Sequence, residues 1–308
     1  MASNKSSSTH QPLTLLLFFL FTLSSAHAKG GIAISWGQNN GDGTLTSTCD
    51  TGNFEIVLLA FLDTFGCGTT PELNFAGHCG PWFPCDNLQP EIEHCQRNGV
   101  KVFLSLGGTF GPYALCSPED AKNVSDYLYN NFLSGKTGPL GSVYLDGIDF
   151  HIDGARELDT HRKQDRYFYL SAAPQCFFPD YYLDDAIRTW LFDYIFVQFY
   201  YNRRYQYDIF SSWNTWTSYV KLNNTVFMGL PAAHDAAPRG IYISPQFLCS
   251  DEILPIIKQT PNYGGVMLWD RFGDANNHYS DQIKDCVKVD DSDVRVSQTL
   301  MATLSNTN

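Results

Sequence analysis

The sequence predicts an α/β chain folded as a single (β/α)8 TIM barrel. Eight short apolar, β-branched or aromatic runs recur along it, each closed by Gly, Pro or Asp. Most are continuous rather than alternating, the pattern of strands covered on both faces. Helix-like segments separate several of them within one unbroken domain. An open, doubly wound sheet is the competing architecture. It would carry a Gly-rich nucleotide turn after its first strand, and Trp36-Gly37-Gln38 is not one.

Taken in order, residues 1–28 read as a cleaved secretory leader. Lys5 and His10 give a weakly basic start, Leu13–Leu23 is apolar apart from Thr14 and Thr22, and Ala26-His27-Ala28 offers a small-x-small cleavage site. The apolar run is too short to span a bilayer. The barrel is expected over 29–288, with strands at Ile32–Trp36, Ile56–Leu62, Val102–Leu106, Val143–Ile152, Phe168–Ala172, Tyr194–Tyr200, Val226–Leu230 and Gly265–Trp269. Ser117-Pro118-Glu119-Asp120 opens the clearest helix: a capping hydroxyl, proline at the first turn, then acids at the positive dipole end. That helix places Val124, Leu128 and Phe132 on one stripe. Further helices are expected at Ile92–Arg97, Trp213–Leu222 and Pro245–Ile257, and residues 289–308 form a polar tail.

Composition narrows the function. Of the 308 residues 44% are hydrophobic and 17% charged, enough for a sizeable core without covalent or metal staples. Twenty Lys+Arg against 32 Asp+Glu give a net charge of −12, with no basic run. Such a chain suits neither nucleic acid nor an anionic membrane, and a neutral polysaccharide fits better. Nine cysteines on a secretory route predict disulfides, and the odd number leaves at least one thiol free or paired with another chain. Their spacing matches no zinc site, and neither a metal nor a cofactor is expected. Asn123-Val124-Ser125 and Asn223-Asn224-Thr225 match the glycosylation sequon.

Chemistry in this fold sits where strands end at the C-terminal face. The fourth strand, Leu145-Asp146-Gly147-Ile148-Asp149-Phe150-His151-Ile152-Asp153, is the one dense in ionisable groups. Alternation puts Asp149, His151 and Asp153 on one face and Ile148, Phe150 and Ile152 on the other. The polar row is expected inside the barrel. Here the sequence resembles glycoside hydrolase family 18, and within it the plant class III chitinases of the hevamine-like kind, whose fourth strand usually reads D-G-x-D-x-D-x-E. Other blocks carry the same resemblance: Gly31-Ile32-Ala33-Ile34, Trp36-Gly37-Gln38, Ala76-Gly77-His78-Cys79, Val102-Phe103-Leu104-Ser105-Leu106-Gly107-Gly108, Ala173-Pro174-Gln175-Cys176, Val197-Gln198-Phe199-Tyr200 and Tyr263-Gly264-Gly265-Val266-Met267-Leu268-Trp269.

The resemblance implies a mechanism. The final Glu protonates the glycosidic oxygen, the substrate's acetamido group attacks the sugar carbon, and the Asp two residues earlier orients it and stabilises the cyclic ion. Asp153 stands at the acid position, one methylene short, and His151 replaces the orienting Asp; Asp149 and Asp146 match. Asp149 and Asp153 on the same face favour a proton on His151, and a cationic ring there would oppose a positive intermediate. The segment from Gly154 to Arg166 is shorter than the family pattern. Ser35 stands where a substrate-facing Tyr is usual, Tyr201 replaces an Asn, and Tyr205 replaces the usual disulfide partner of Cys176. The resemblance pairs Cys49 with Cys95 and Cys79 with Cys85, leaving Cys67, Cys116, Cys176, Cys249 and Cys286 unassigned. It also assigns Tyr200 to the catalytic site, and Gln198, Trp269, Trp36 and Gln38 to the sugar site. Trp269 could instead simply fill the barrel mouth.

The expected product is a secreted, monomeric plant defence protein, apoplastic or vacuolar. Its catalytic motif is degenerate, and it binds chitin oligomers or inhibits a microbial glycosidase such as xylanase. An active endochitinase using a variant Asp153/His151 site is the alternative. Trp269-Asp270-Arg271-Phe272 resembles the inhibitor branch, and Pro81-Trp82-Phe83-Pro84 and Arg203-Arg204-Tyr205 are candidate anchors for a target enzyme.

Overall fold

The computed structural model describes residues 30–79, 83–109, 111–152, 167–200, 209–237, 242–250 and 252–289. Eight parallel strands close on themselves: β1 (Gly31–Trp36), β2 (Ile56–Thr64), β4 (Lys101–Gly107), β5 (Gly147–His151), β6 (Tyr169–Ala172), β7 (Tyr194–Gln198), β8 (Thr225–Pro231) and β9 (Tyr263–Trp269). Closure is made by β1, which pairs with both β2 and β9. A two-residue strand, β3 (Glu72–Leu73), folds back antiparallel on the end of β2. The expected barrel is present, and each of its eight strands lies on one of the eight apolar runs.

The continuous apolar runs follow from burial on both faces. Outward residues such as Ile32, Val57, Val102, Ile148, Val197 and Val266 pack in the layer beneath the helices. Inward residues, among them Ala33, Ile56, Leu58, Phe103, Phe196, Phe227 and Met267, fill the lumen. The barrel is therefore a packed core with a mouth rather than a pore.

Helices α1 (Leu45–Cys49), α2 (Gln89–Arg97), α3 (Pro118–Leu128), α4 (Asp184–Ile187) and α5 (Ile209–Tyr219) lie between strands. Ser117 caps α3 as its sequence predicts, its hydroxyl accepting from the Asp120 N–H at 3.1 Å. The helix expected over Pro245–Ile257 is instead two: α6 (Pro245–Cys249) and α7 (Leu254–Ile257). Ser250 breaks it by turning to extended backbone, and Pro255 fits the first turn of the new helix. Helices α8 (Arg271–Asn277) and α9 (Tyr279–Ile283) follow the last strand. Among the described residues no helix is long and apolar enough to cross a membrane.

The disulfides Cys49–Cys95 and Cys79–Cys85 form as the resemblance implies. Two more, Cys67–Cys116 and Cys249–Cys286, account for four of the unassigned cysteines, and Cys176 is left as a buried free thiol. The leader, Asp153, the segment 154–166, Pro81 and Trp82, Tyr201, the Arg203-Arg204-Tyr205 run and the tail from 290 onward lie outside the described residues.

Candidate functional site

Strand register assembles the site. On β5, Asp149 lies opposite Ser105 of β4 on one side and Ser171 of β6 on the other. Both serines point into the lumen with it. The Asp149 carboxylate is fully buried and accepts from the Ser105 hydroxyl at 2.5 Å and from the Ser171 hydroxyl at 2.7 Å. Burial pushes its pKa up to about 6, against the pull of those two hydrogen bonds. Neither serine stands out in the sequence, since each reads as a gap in an apolar run. Counting by twos from the lumen residues Phe103 and Tyr169 would have found both.

One step further up β5, His151 reaches the mouth. Its ring packs edge-on to Phe61 at 5.2 Å and tilted against Trp269 at 5.7 Å, and is 5% exposed. Among the described residues no hydrogen bond reaches either ring nitrogen. Burial lowers its pKa to about 4, so the ring is neutral at physiological pH. The ring is therefore not the cation that a row of acids on this strand would favour, and the cause is its desolvation. Gly107 makes the approach possible, because it adopts a positive φ of 99° and a Cβ there would lie 2.5 Å from the His151 carbonyl oxygen.

The aromatic wall has three members. Trp269 stacks on Phe61 at 5.9 Å and on Tyr200 at 6.4 Å, with interplanar angles of 23° and 16°. Trp269 keeps part of its surface open, whereas Tyr200 is buried. Phe61 is a wall residue that sequence reading does not single out. Gln198 is also buried here, its amide donating to the Ala173 carbonyl and accepting from Gln175 at 3.4 Å.

Three sequence-derived site residues are placed elsewhere. Trp36 points outward from β1 into the layer under the helices, 1% exposed, with its indole N–H on the Gly43 carbonyl and its ring 4.2 Å from that of His78. Odd and even positions on a strand face opposite ways, and Trp36 is on the outer set with Ile32 and Ile34. Asp146 precedes β5, at the end of the barrel opposite His151. It accepts from Gln96 and from the Val102 N–H, both at 2.9 Å, and so fastens β4. Gln38 directs its amide to the carbonyls of Ala60 and Asn74 at 2.9 and 3.0 Å and so holds the loop after β1.

Of the candidate anchors for a target enzyme, Phe83 is 67% exposed. In the Trp269-Asp270-Arg271-Phe272 segment, Arg271 is folded inward, 13% exposed and paired with Asp274 at 2.7 Å. Asp270, whose carboxyl burial raises to about 6, caps α8 through the Gly273 N–H at 3.1 Å.

No family model matches the chain. It is 47% identical over 297 residues to an acidic endochitinase of Vitis vinifera, covering 90% of this chain and 97% of that one. Among solved structures, a chitinase from Ipomoea carnea aligns with a TM-score of 0.76 at 46% identity, over 83% of this chain and 100% of that one. A xylanase and α-amylase inhibitor protein from Scadoxus multiflorus gives 0.76 at 38%, over 82% and 97%. A tamarind chitinase-like lectin gives 0.72 at 38%, over 82% and 98%. At this identity and coverage the chain belongs to the plant acidic endochitinases, the class III branch of glycoside hydrolase family 18.

Proposed function

We propose that this chain binds chitin oligosaccharides at the barrel mouth without hydrolysing them, as an exported, monomeric defence protein. One observation carries the reading: a neutral, buried His151 stands where the family's mechanism needs a carboxylate. A neutral imidazole brings no negative charge to the cyclic cation formed by the acetamido group. Loss of one preorganised electrostatic partner costs about 10²–10³ in rate. Asp149, one step below, is already held by two hydroxyls. Asp153 is one methylene shorter than the family's acid, and misplacement by ~1 Å costs about 100-fold more. The binding half of the proposal rests on Trp269, whose partly open face suits the apolar side of a pyranose.

The test is hydrolysis of a chitin hexasaccharide by the purified mature protein, beside an Asp153→Ala control, with oligomer binding read from tryptophan fluorescence. Quenching without product is the expected result. Turnover that Asp153→Ala abolishes would establish an active endochitinase with an altered site. No quenching at millimolar oligomer would sink the sugar-binding reading. Exposed Phe83 and the likeness to an inhibitor protein favour a second reading, inhibition of a microbial xylanase, tested by assaying a fungal xylanase with and without the protein.

A further inference from the structure

The connection between α5 and β8 is folded by one asparagine and topped by another. Asn224 is 5% exposed and fully engaged: its side-chain oxygen accepts from the Lys221 N–H at 2.8 Å, its own N–H donates to the Lys221 carbonyl at 2.9 Å, and its amide donates to the Phe192 carbonyl. Asn223, immediately before it, is exposed and makes no hydrogen bond among the described residues. Thr225 follows as the first residue of β8. The sequon Asn223-Asn224-Thr225 is therefore divided: its middle residue builds the turn, and its acceptor residue is presented at the tip.

We propose that Asn223 carries an N-linked glycan. The Asn223 amide nitrogen takes the anomeric carbon of an N-acetylglucosamine from a lipid diphosphate-linked oligosaccharide. The C1–N bond forms, the C1–O bond to the diphosphate breaks, the lipid diphosphate leaves with the electron pair, and the amide gives up one proton. The inference rests on export through a secretory route, as proposed above.

Two features of the surroundings favour this residue. The turn lies at the N-terminal end of the barrel strands, while His151 and Trp269 stand at the other end, so a sugar chain here leaves the mouth clear. Beside the turn is an open groove of about 460 Å³ lined by Val220, Leu222, Ile256 and Asn262, so the first sugars meet space rather than a wall. Leu222 is 74% exposed and Ile256 49%, apolar surface that an attached glycan would screen. The other sequon is differently placed. Asn123 lies inside α3, where two residues of advance carry Ser125 about 200° around the helix. Acceptor and hydroxyl there face opposite sides.

The test is expression of the full chain in plant leaf, with peptide mapping before and after enzymatic release of N-glycans and sequencing of the N-terminus. The expected result is a chain beginning near Lys29 with Asn223 converted to Asp on release. Asn223→Gln then loses the electrophoretic shift and Asn123→Gln keeps it. Asn223→Gln alters an exposed side chain without partners, so loss of the shift is not loss of the fold. A chain that begins near Lys29 with Asn223 unmodified would overturn this inference and leave export standing. A chain that retains Met1 would overturn export. A parallel arm with a heterologous cleavable leader then decides the acceptor, and an unmodified Asn223 in that arm would refute it.

Discussion

Replacing Asp149 by Asn removes a charge while keeping the shape that Ser105 and Ser171 grip. In the folded protein the carboxyl is raised from 3.8 to about 6 by burial. A raised folded value means that the folded state holds this proton more tightly than the unfolded state does. The carboxyl's contribution to stability is therefore present below pH 3.8 and lost as pH rises to about 6. At about 1.4 kcal/mol per unit, the loss amounts to roughly 3 kcal/mol at neutral pH. An amide does not ionise and escapes that loss. The serine hydroxyls can rotate to accept from its NH2 group, so the site stays satisfied. Any fixed effect of the substitution is the same at every pH and cancels when two pH values are compared. Urea unfolding of wild type and Asp149→Asn at pH 4 and pH 7 should show the variant gaining about 2–3 kcal/mol on wild type between them. An unchanged difference, or a variant that loses ground at pH 7, would refute the claim that this carboxylate is buried at a cost.

Trp269→Ala should weaken chitin-oligomer binding about tenfold or more, roughly 1.4 kcal/mol, by isothermal titration. Trp36→Phe should leave that affinity unchanged in the folded protein, because Trp36 faces the outer layer. The double substitution His151→Asp with Asp153→Glu should gain chitin hexasaccharide turnover that neither single change gives; a wild type already as fast as the double variant would contradict the assignment. Removing the Cys67–Cys116 link with two Cys→Ser changes should cost about 2–4 kcal/mol in urea unfolding, since it closes a loop of 49 residues.

The barrel was legible because burial on both faces leaves a strong mark: eight short apolar runs, most of them nearly continuous, and eight strands upon them. The cap at Ser117 was legible for a local reason, a hydroxyl followed by Pro and two acids. The two-fold alternation on β5 likewise put Asp149 and His151 inside. What could not be read was whatever depends on neighbours distant in sequence. Asp149 meets Ser105 across 44 residues and Ser171 across 22. The charge state of His151 depends on Phe61 and Trp269, far away on either side. Trp36 shows the reverse failure, since it sits in a motif shared with chitinases and yet the alternation of its own strand turns it outward. Pro245–Ile257 misled because its apolar residues keep a helical spacing through Ser250, where the backbone does not.

Cys176 has a consequence for how this protein is lost rather than how it is held. Its thiol is 2% exposed and burial pushes its pKa up to about 11, so at neutral pH only about one molecule in 10⁴ carries the thiolate. Unfolding returns the group to water and to a pKa near 8.5, a several-hundred-fold rise in the attacking form, with four disulfides newly within reach. Exchange then competes with refolding, and the more so as temperature and pH rise. Heating this protein should end in a one-way inactivation whose rate, not whose midpoint, describes its durability. The native fold acts as the protecting group for its own ninth cysteine.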